Sequence, residues 1–310
     1  MINGNITLKK LQIFLSFMSK GNIALVAESI GLSTVSVHRA LHTLEEDIAC
    51  PLFIHKGRIL QPLPAAHTLV EYAKEIIELT ERAIENTCQA AGMNKARLRI
   101  GCMYSLTLET VPKLMMDFKR RQPNVAVDLM MGSNQDLLER LESGQLDAIL
   151  IAISESSIDK NTFEVLPLFQ DALYIAGPID SPLLAGESVC LQDFKHQHFI
   201  ALSEGFATYH SFHQAFADTD FDPYISLYVK DIFSLINLVQ AGVGFSLLPG
   251  RIMPAYTNTI KMLPLSQANP INQTIGLTFL KTREHEPYLR ALVASSRMYA
   301  LTHNTVTAAE

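Results

Sequence analysis

Between Ser33 and Ile48 the chain carries side chains suited to reading nucleic acid. Val37, Leu41 and Leu44 lie at i, i+4 and i+7, which places them on one buried helical stripe. Thr34, Val35, His38 and His42 then point away from it, with Arg39 at their flank. A hydroxyl, a methyl surface and imidazoles match base edges and phosphates, and a flanking guanidinium pairs with a phosphate. For any one of these residues, a plain solvated helix face is the competing reading.

A second set of polar groups falls where predicted strands give way to helices. Ser105, Leu106 and Thr107 follow one strand, while Ser133 and Asn134 follow another and open a helix. The run Ser203-Glu-Gly-Phe-Ala-Thr208 follows a third, so Phe206 and Thr208 are expected to face a cleft. Hydroxyls beside helix N-termini favour an anionic, carboxylate-like ligand. Each hydroxyl alone reads as a helix cap, and it is the convergence of three junctions that favours a ligand site. Arg251 and Lys230 are available as counter-charges, though no spacing selects them.

Signatures of catalysis are missing. Ala241–Gly250 is glycine-rich but matches neither the phosphate-binding loop nor the dinucleotide fingerprint. No Gly-x-Ser-x-Gly elbow occurs. The pairs His196/His198 and His210/His213 lack carboxylate or cysteine partners at ligand spacing, so neither a metal nor a cofactor is expected. Asp147 reads as a strand-start residue. Cys50, Cys88, Cys102 and Cys190 are far apart and read as free structural thiols.

The elements that must hold these groups follow from periodicity. Leu8, Leu11, Phe14, Leu15 and Met18 mark a first amphipathic helix, and Asn22 is placed to cap a second over 23–30. Gly31-Leu32-Ser33 makes a tight turn, and Ser33 caps the third helix, giving a helix-turn-helix. Short strands at 51–55 and 59–62 flank Lys56-Gly57-Arg58, which reads as a basic hairpin wing reaching phosphates or the minor groove. The stretch 65–91 has no Pro and no Gly, keeps helical periodicity and is too apolar to stand alone, so it is expected to dimerise the protein. From Arg97 onward, short apolar strands alternate with amphipathic helices, the pattern of a parallel-rich α/β sheet with helices on both faces. A second run of this kind is read from Ala172 to Leu248, and a strand at 273–281 and a helix near 287–301 return to the first lobe.

The expected domains are a winged helix-turn-helix over 1–64 and a linker helix over 65–96. Behind them come one α/β lobe from 97–168 plus 271–310 and a second over 169–270. A net charge of −6 over 310 residues argues against a general polyanion binder. Six Lys/Arg against four acids leave residues 1–60 at +2, so the remainder carries −8. That asymmetry suits a nucleic-acid module on an acidic body. The apolar runs are too short for a membrane helix and the N-terminal residues lack signal-peptide features, so a cytoplasmic location is expected.

The string LQIFLSFMSKGNIALVAESIGLSTVSVHRALHTLEEDIACPLFIHKGR resembles the LysR-type transcriptional regulators, and the sensor pattern extends the likeness over nearly the whole chain. Members usually have Gln where Thr34 stands, Ser where His38 stands and Arg where His55 stands. Thr-x-Ala-Gly usually occupies the place of Leu63–Ala66. The resemblance implies two Rossmann-like lobes of the periplasmic-binding-protein type behind the helix-turn-helix. It also implies a homodimer or homotetramer on an inverted-repeat operator, with contact to RNA polymerase. YSLTLETVPKL, EGFAT and DIFSLINLVQAGVGFSLLPGR look like the malonate-utilisation regulators within that family, which implies malonate or a malonyl derivative as inducer. The residues themselves reach only a small anion. Competing classes are an α/β enzyme with a fused helical oligomerisation segment and a solute-binding protein.

Overall fold

The computed structural model describes residues 5–56, 59–90, 97–153, 158–217, 219–266 and 271–307. The chain divides into two compact units, Met1–Asn94 and Lys95–Glu310.

In the first unit, α1 (Leu8–Lys20), α2 (Ile23–Ile30) and α3 (Thr34–Ile48) are followed by strands β1 (Phe53–Lys56) and β2 (Ile59–Pro62) and by α4 (Pro64–Ala90). Caps set the breaks. Asn22 Oδ1 accepts from the Ala24 N–H at 2.8 Å, and Ser33 Oγ accepts from the Ser36 N–H at 3.1 Å. Gly21 and Gly31 close α1 and α2 in the left-handed region, at φ 64° and 65°, where a side chain would be strained. Phe14, Phe17, Val26, Val37, Leu41 and Leu44 form the buried core, and Phe53 of β1 meets Phe17 edge-on at 5.2 Å. Glu45 Oε1 accepts the N–H groups of Leu52 (2.7 Å) and Phe53 (2.9 Å), which ties the wing to α3.

The second unit holds β3 (Arg97–Cys102), α5 (Thr110–Arg121), β4 (Ala126–Met131), α6 (Asn134–Glu142), β5 (Ala148–Ile153) and β6 (Phe163–Pro178). Then come β7 (His198–Leu202), α7 (Ala207–Phe216), β8 (Tyr224–Val229), α8 (Ile232–Gln240), β9 (Ser246–Pro249) and α9 (Met253–Tyr256). The unit ends with β10 (Ile260–Pro264), β11 (Asn272–Leu280) and α10 (Pro287–Thr307). The large sheet runs β10-β6-β11-β5-β3-β4, with β9 also on β6. β3 pairs parallel with β4 and β5, whereas β11 is antiparallel to both β5 and β6. The sheet is therefore mixed, not parallel-rich, because two long strands cross between the lobes in opposite directions.

β6 is one of those strands and starts at Phe163, well before the Ala172 expected from sequence. Pro167 hid its first half, since proline reads against a strand interior. The structure seats Pro167 opposite Gly276, beside a register shift between Ile275 and Gly276, where the missing N–H is tolerated. A Cβ on Gly276 would lie 2.1 Å from Ile153 Cδ1 and 2.9 Å from the Leu166 carbonyl oxygen, so the strands approach too closely there for any side chain. β10 was not anticipated at all. At the first junction, a 3-10 turn over Tyr104–Thr107 precedes α5, which begins at Thr110.

One lobe packs around Ile100, Phe118, Leu137 and Leu277. In the other, Phe199 packs with Phe194, Phe212 and Leu247, while the next residue, Ile200, packs with Leu235, Ile236 and Ile252. Successive side chains of β7 thus serve opposite faces, one covered by α7 and the other by α8.

Candidate functional sites: the third helix and the interlobe cleft

On α3, Thr34, Val35, His38, Arg39 and His42 are all exposed. Val35 is 72% exposed and presents a methyl surface on this face. Thr34, Val35, His38 and Arg39 line a shallow hollow together with Ile23 of α2. The His38 ring stacks on His55 of β1, with centroids 6.0 Å apart and planes 29° from parallel. His42 Nδ1 sits 3.3 Å from Glu46. Lys56 is exposed at the end of β1, and Arg58 lies outside the described residues. The oxygens of Asn22 and Ser33 are committed to caps, which leaves the Asn22 N–H2 as its outward group. In the sequence His55 stands out only as a departure from the family pattern, because its contact with His38 joins two elements.

In the second unit a cavity of about 630 Å³ opens between the lobes. Asn134, Gln135 and Ile151–Ile153 form one side, Gly205, Ala207, His210, Ser211 and Gln214 the other, and Asn272 and Gln273 of β11 run between them. The Gln135 N–H donates to the Gly205 carbonyl at 3.2 Å, so α6 and the β7–α7 turn meet directly.

Beside this cavity lies a polar cluster built on Arg251. Its guanidinium pairs with Asp171 of β6 at 2.7 Å and donates to Ser105 Oγ at 2.8 Å and Gln273 Oε1 at 3.1 Å. Gln273 Nε2 in turn donates to Thr208 Oγ1 (3.4 Å) and Ser211 Oγ (3.2 Å). Ser105 of one lobe, Thr208 of the other and both crossing strands therefore share one connected network. Burial pulls the Arg251 guanidinium below its usual value, and the Asp171 carboxylate opposes that pull.

Of the seven residues expected at the cleft, Asn134 lines the cavity, and Ser105 and Thr208 join the network. Ser133 Oγ caps α6 through the Asp136 N–H at 3.1 Å, and Thr107 Oγ1 donates to the Tyr104 carbonyl at 2.6 Å. Phe206 packs against the second lobe's core. Leu106 is fully buried in the first lobe's core, which turns its side chain away from the cleft. Gln273, Ser211 and His210 also line the cavity, though none of them stands at a predicted strand–helix junction. Thr208 and Ser211 stand at i and i+3 on one helical face, which was the available signal. Gln273 looked like an ordinary strand start.

Among the described residues, no three His, Cys, Asp or Glu side chains gather to hold a metal, and no helix is long and apolar enough to cross a membrane. A helix-turn-helix with an exposed reading face, followed by two lobes around a polar cavity, defines a DNA-binding regulator that responds to a small molecule. The model of the bacterial regulatory helix-turn-helix protein, lysR family, matches residues 8–67, and that of the LysR substrate binding domain matches residues 91–300. The chain is 50% identical over 303 residues to the malonate utilization transcriptional regulator of Klebsiella pneumoniae, covering 98% of both chains. Full-length CbnR complexed with its target DNA superposes with a TM-score of 0.74 at 20% identity, covering 95% of this chain and 100% of that one. The effector binding domain of QuiR in complex with shikimate superposes with a TM-score of 0.60 at 22% identity, covering 68% and 99%. The chain belongs to the LysR family of transcriptional regulators.

Proposed function

We propose that this regulator senses malonate or a malonyl derivative in its interlobe cleft and controls a catabolic operon. The observation that carries this reading is the 50% identity, end to end, with a malonate utilization regulator. Thr34, Val35, His38, Arg39 and His42 read the operator, while Asn22, Ser33, Lys56 and Arg58 hold the flanking phosphates. Ser105, Thr107, Ser133, Asn134, Phe206 and Thr208 form the ligand's surroundings, with Gln273 and Ser211 added by their place at the cavity wall. The domain boundaries at about residues 64, 96, 168 and 270 follow the same reading.

The protein acts in the cytoplasm and performs no chemistry on its ligand. Paired α4 helices make a homodimer, and two dimers make a homotetramer, on an inverted-repeat operator. Ligand favours one arrangement of the lobes, which changes DNA bending and contact with RNA polymerase.

Thermal unfolding of the full chain tests the ligand. Malonate at about 100 times its dissociation constant should stabilise the native state by roughly 2.7 kcal/mol. Succinate and acetate should give smaller rises. Equal rises with all three would overturn the malonyl reading, and none with malonate would exclude malonate itself and leave only a malonyl derivative.

A further inference from the structure

The cavity wall offers more acceptors than a small dianion can use. Five carboxamides stand on it: Asn134, Gln135, Gln214, Asn272 and Gln273. Three of them have their N–H2 groups engaged by other residues of the protein. Asn134 Nδ2 donates to the Ala152 carbonyl at 2.7 Å, Gln135 Nε2 to Glu139 at 2.9 Å and Gln273 Nε2 to Ser211 at 3.2 Å. Asn134 Oδ1 is left buried with no donor. Flipping that amide would set two acceptors against each other at Ala152, so its orientation is fixed.

Charge points the same way. Among the described residues no Lys or Arg lines the cavity, and the guanidinium bonded to Gln273, that of Arg251, is already paired with Asp171 at 2.7 Å. Two carboxylates entering this wall would bring two charges and no donor, and an unpaired buried charge is costly. The cavity of about 630 Å³ also has the size of pockets that hold drug-sized molecules, far beyond a three-carbon dicarboxylate.

We propose that the ligand is a malonyl conjugate with one free carboxylate, its other carboxyl joined to an arm that carries amide N–H groups. This rests on the malonyl reading of the cleft given above. The single carboxylate takes the free N–H2 groups of Gln214 and Asn272, and the arm's N–H meets the acceptor of Gln135.

Calorimetric titration of the full chain with three probes tests this: malonate, the mono-N-propylamide of malonic acid and its mono-propyl ester. The last two differ only in N–H against O. The amide is expected to bind about tenfold more tightly than either the ester or malonate. In Gln135→Met the amide's advantage over the ester should shrink to about twofold, with the ligand-free melting temperature unchanged. Equal affinity for amide and ester, or tightest binding of malonate, would overturn the conjugate and leave the malonyl reading standing. Failure of all three probes to bind would overturn both.

Discussion

His38 combines exposure, a place on α3 and a fixed neighbour, since His55 of the wing stacks on its ring. A ring held from one side loses less freedom on binding, so His55 is placed to position His38 for the proposed base contact. His38→Ala should weaken binding to a selected operator by about 1–3 kcal/mol. His55→Ala should give a smaller loss, and neither change should alter ligand affinity. Gel-shift titration alongside calorimetry checks this, and operator affinity unchanged in both variants would remove α3 from the reading role. At this scale the exposed face of α3 was legible in the sequence because a helix's exposed stripe follows from its own spacing. The cleft was less so. Arg251 and Ser105 are separated by 146 positions, and Gln273 and Thr208 by 65, so only the folded topology could show that they touch.

Among the elements, α1 to α3 were readable because caps and glycines mark their ends locally. β6 was half hidden because its proline is tolerated only by virtue of a bulge shared with β11, a strand more than a hundred residues away. The return of β11 and α10 to the first lobe is secured at Asp147. This carboxylate, read from sequence as a strand start, accepts from the Arg99 guanidinium at 2.9 Å and the Arg283 guanidinium at 2.7 Å. Burial pushes the Asp147 carboxyl up, but the hydrogen bond from Arg99 and the charge of Arg283 outweigh it and hold the carboxyl below its ordinary range. A depressed value stabilises the fold in full above the unfolded carboxyl's pKa, about 3.9, and that contribution fades as pH falls through the folded value. Asp147→Asn should therefore lose roughly 3 kcal/mol at neutral pH, since a buried pair is broken by removing one partner. The variant's stability should also fall less steeply than the wild type's below about pH 4. Denaturant unfolding at several pH values reads both effects, and parallel pH profiles for the two proteins would contradict the assignment.

For the whole molecule, regulation requires that the state of the cleft and the state of the DNA-binding unit be thermodynamically linked. The linker helix α4 keeps Tyr72 and Leu79 about 60% exposed and Ile76 44% exposed, one stripe at helical spacing that a second copy would cover. Leu79→Lys is expected to shift the protein toward monomer in sedimentation velocity and to weaken operator binding with it. A variant that stays fully associated would place the dimer contact elsewhere. Linkage also makes the effect reciprocal: whatever factor the ligand applies to operator affinity, the operator applies to ligand affinity.

The most direct test selects a preferred duplex from a random pool with the full-length protein and then footprints that complex with and without a saturating malonyl ligand. The account predicts an inverted-repeat duplex and a footprint or affinity that changes on adding ligand, by about 5- to 150-fold where affinity is read. A pool that yields no preferred sequence, or a complex identical in footprint and affinity with the cleft empty and filled, would contradict it.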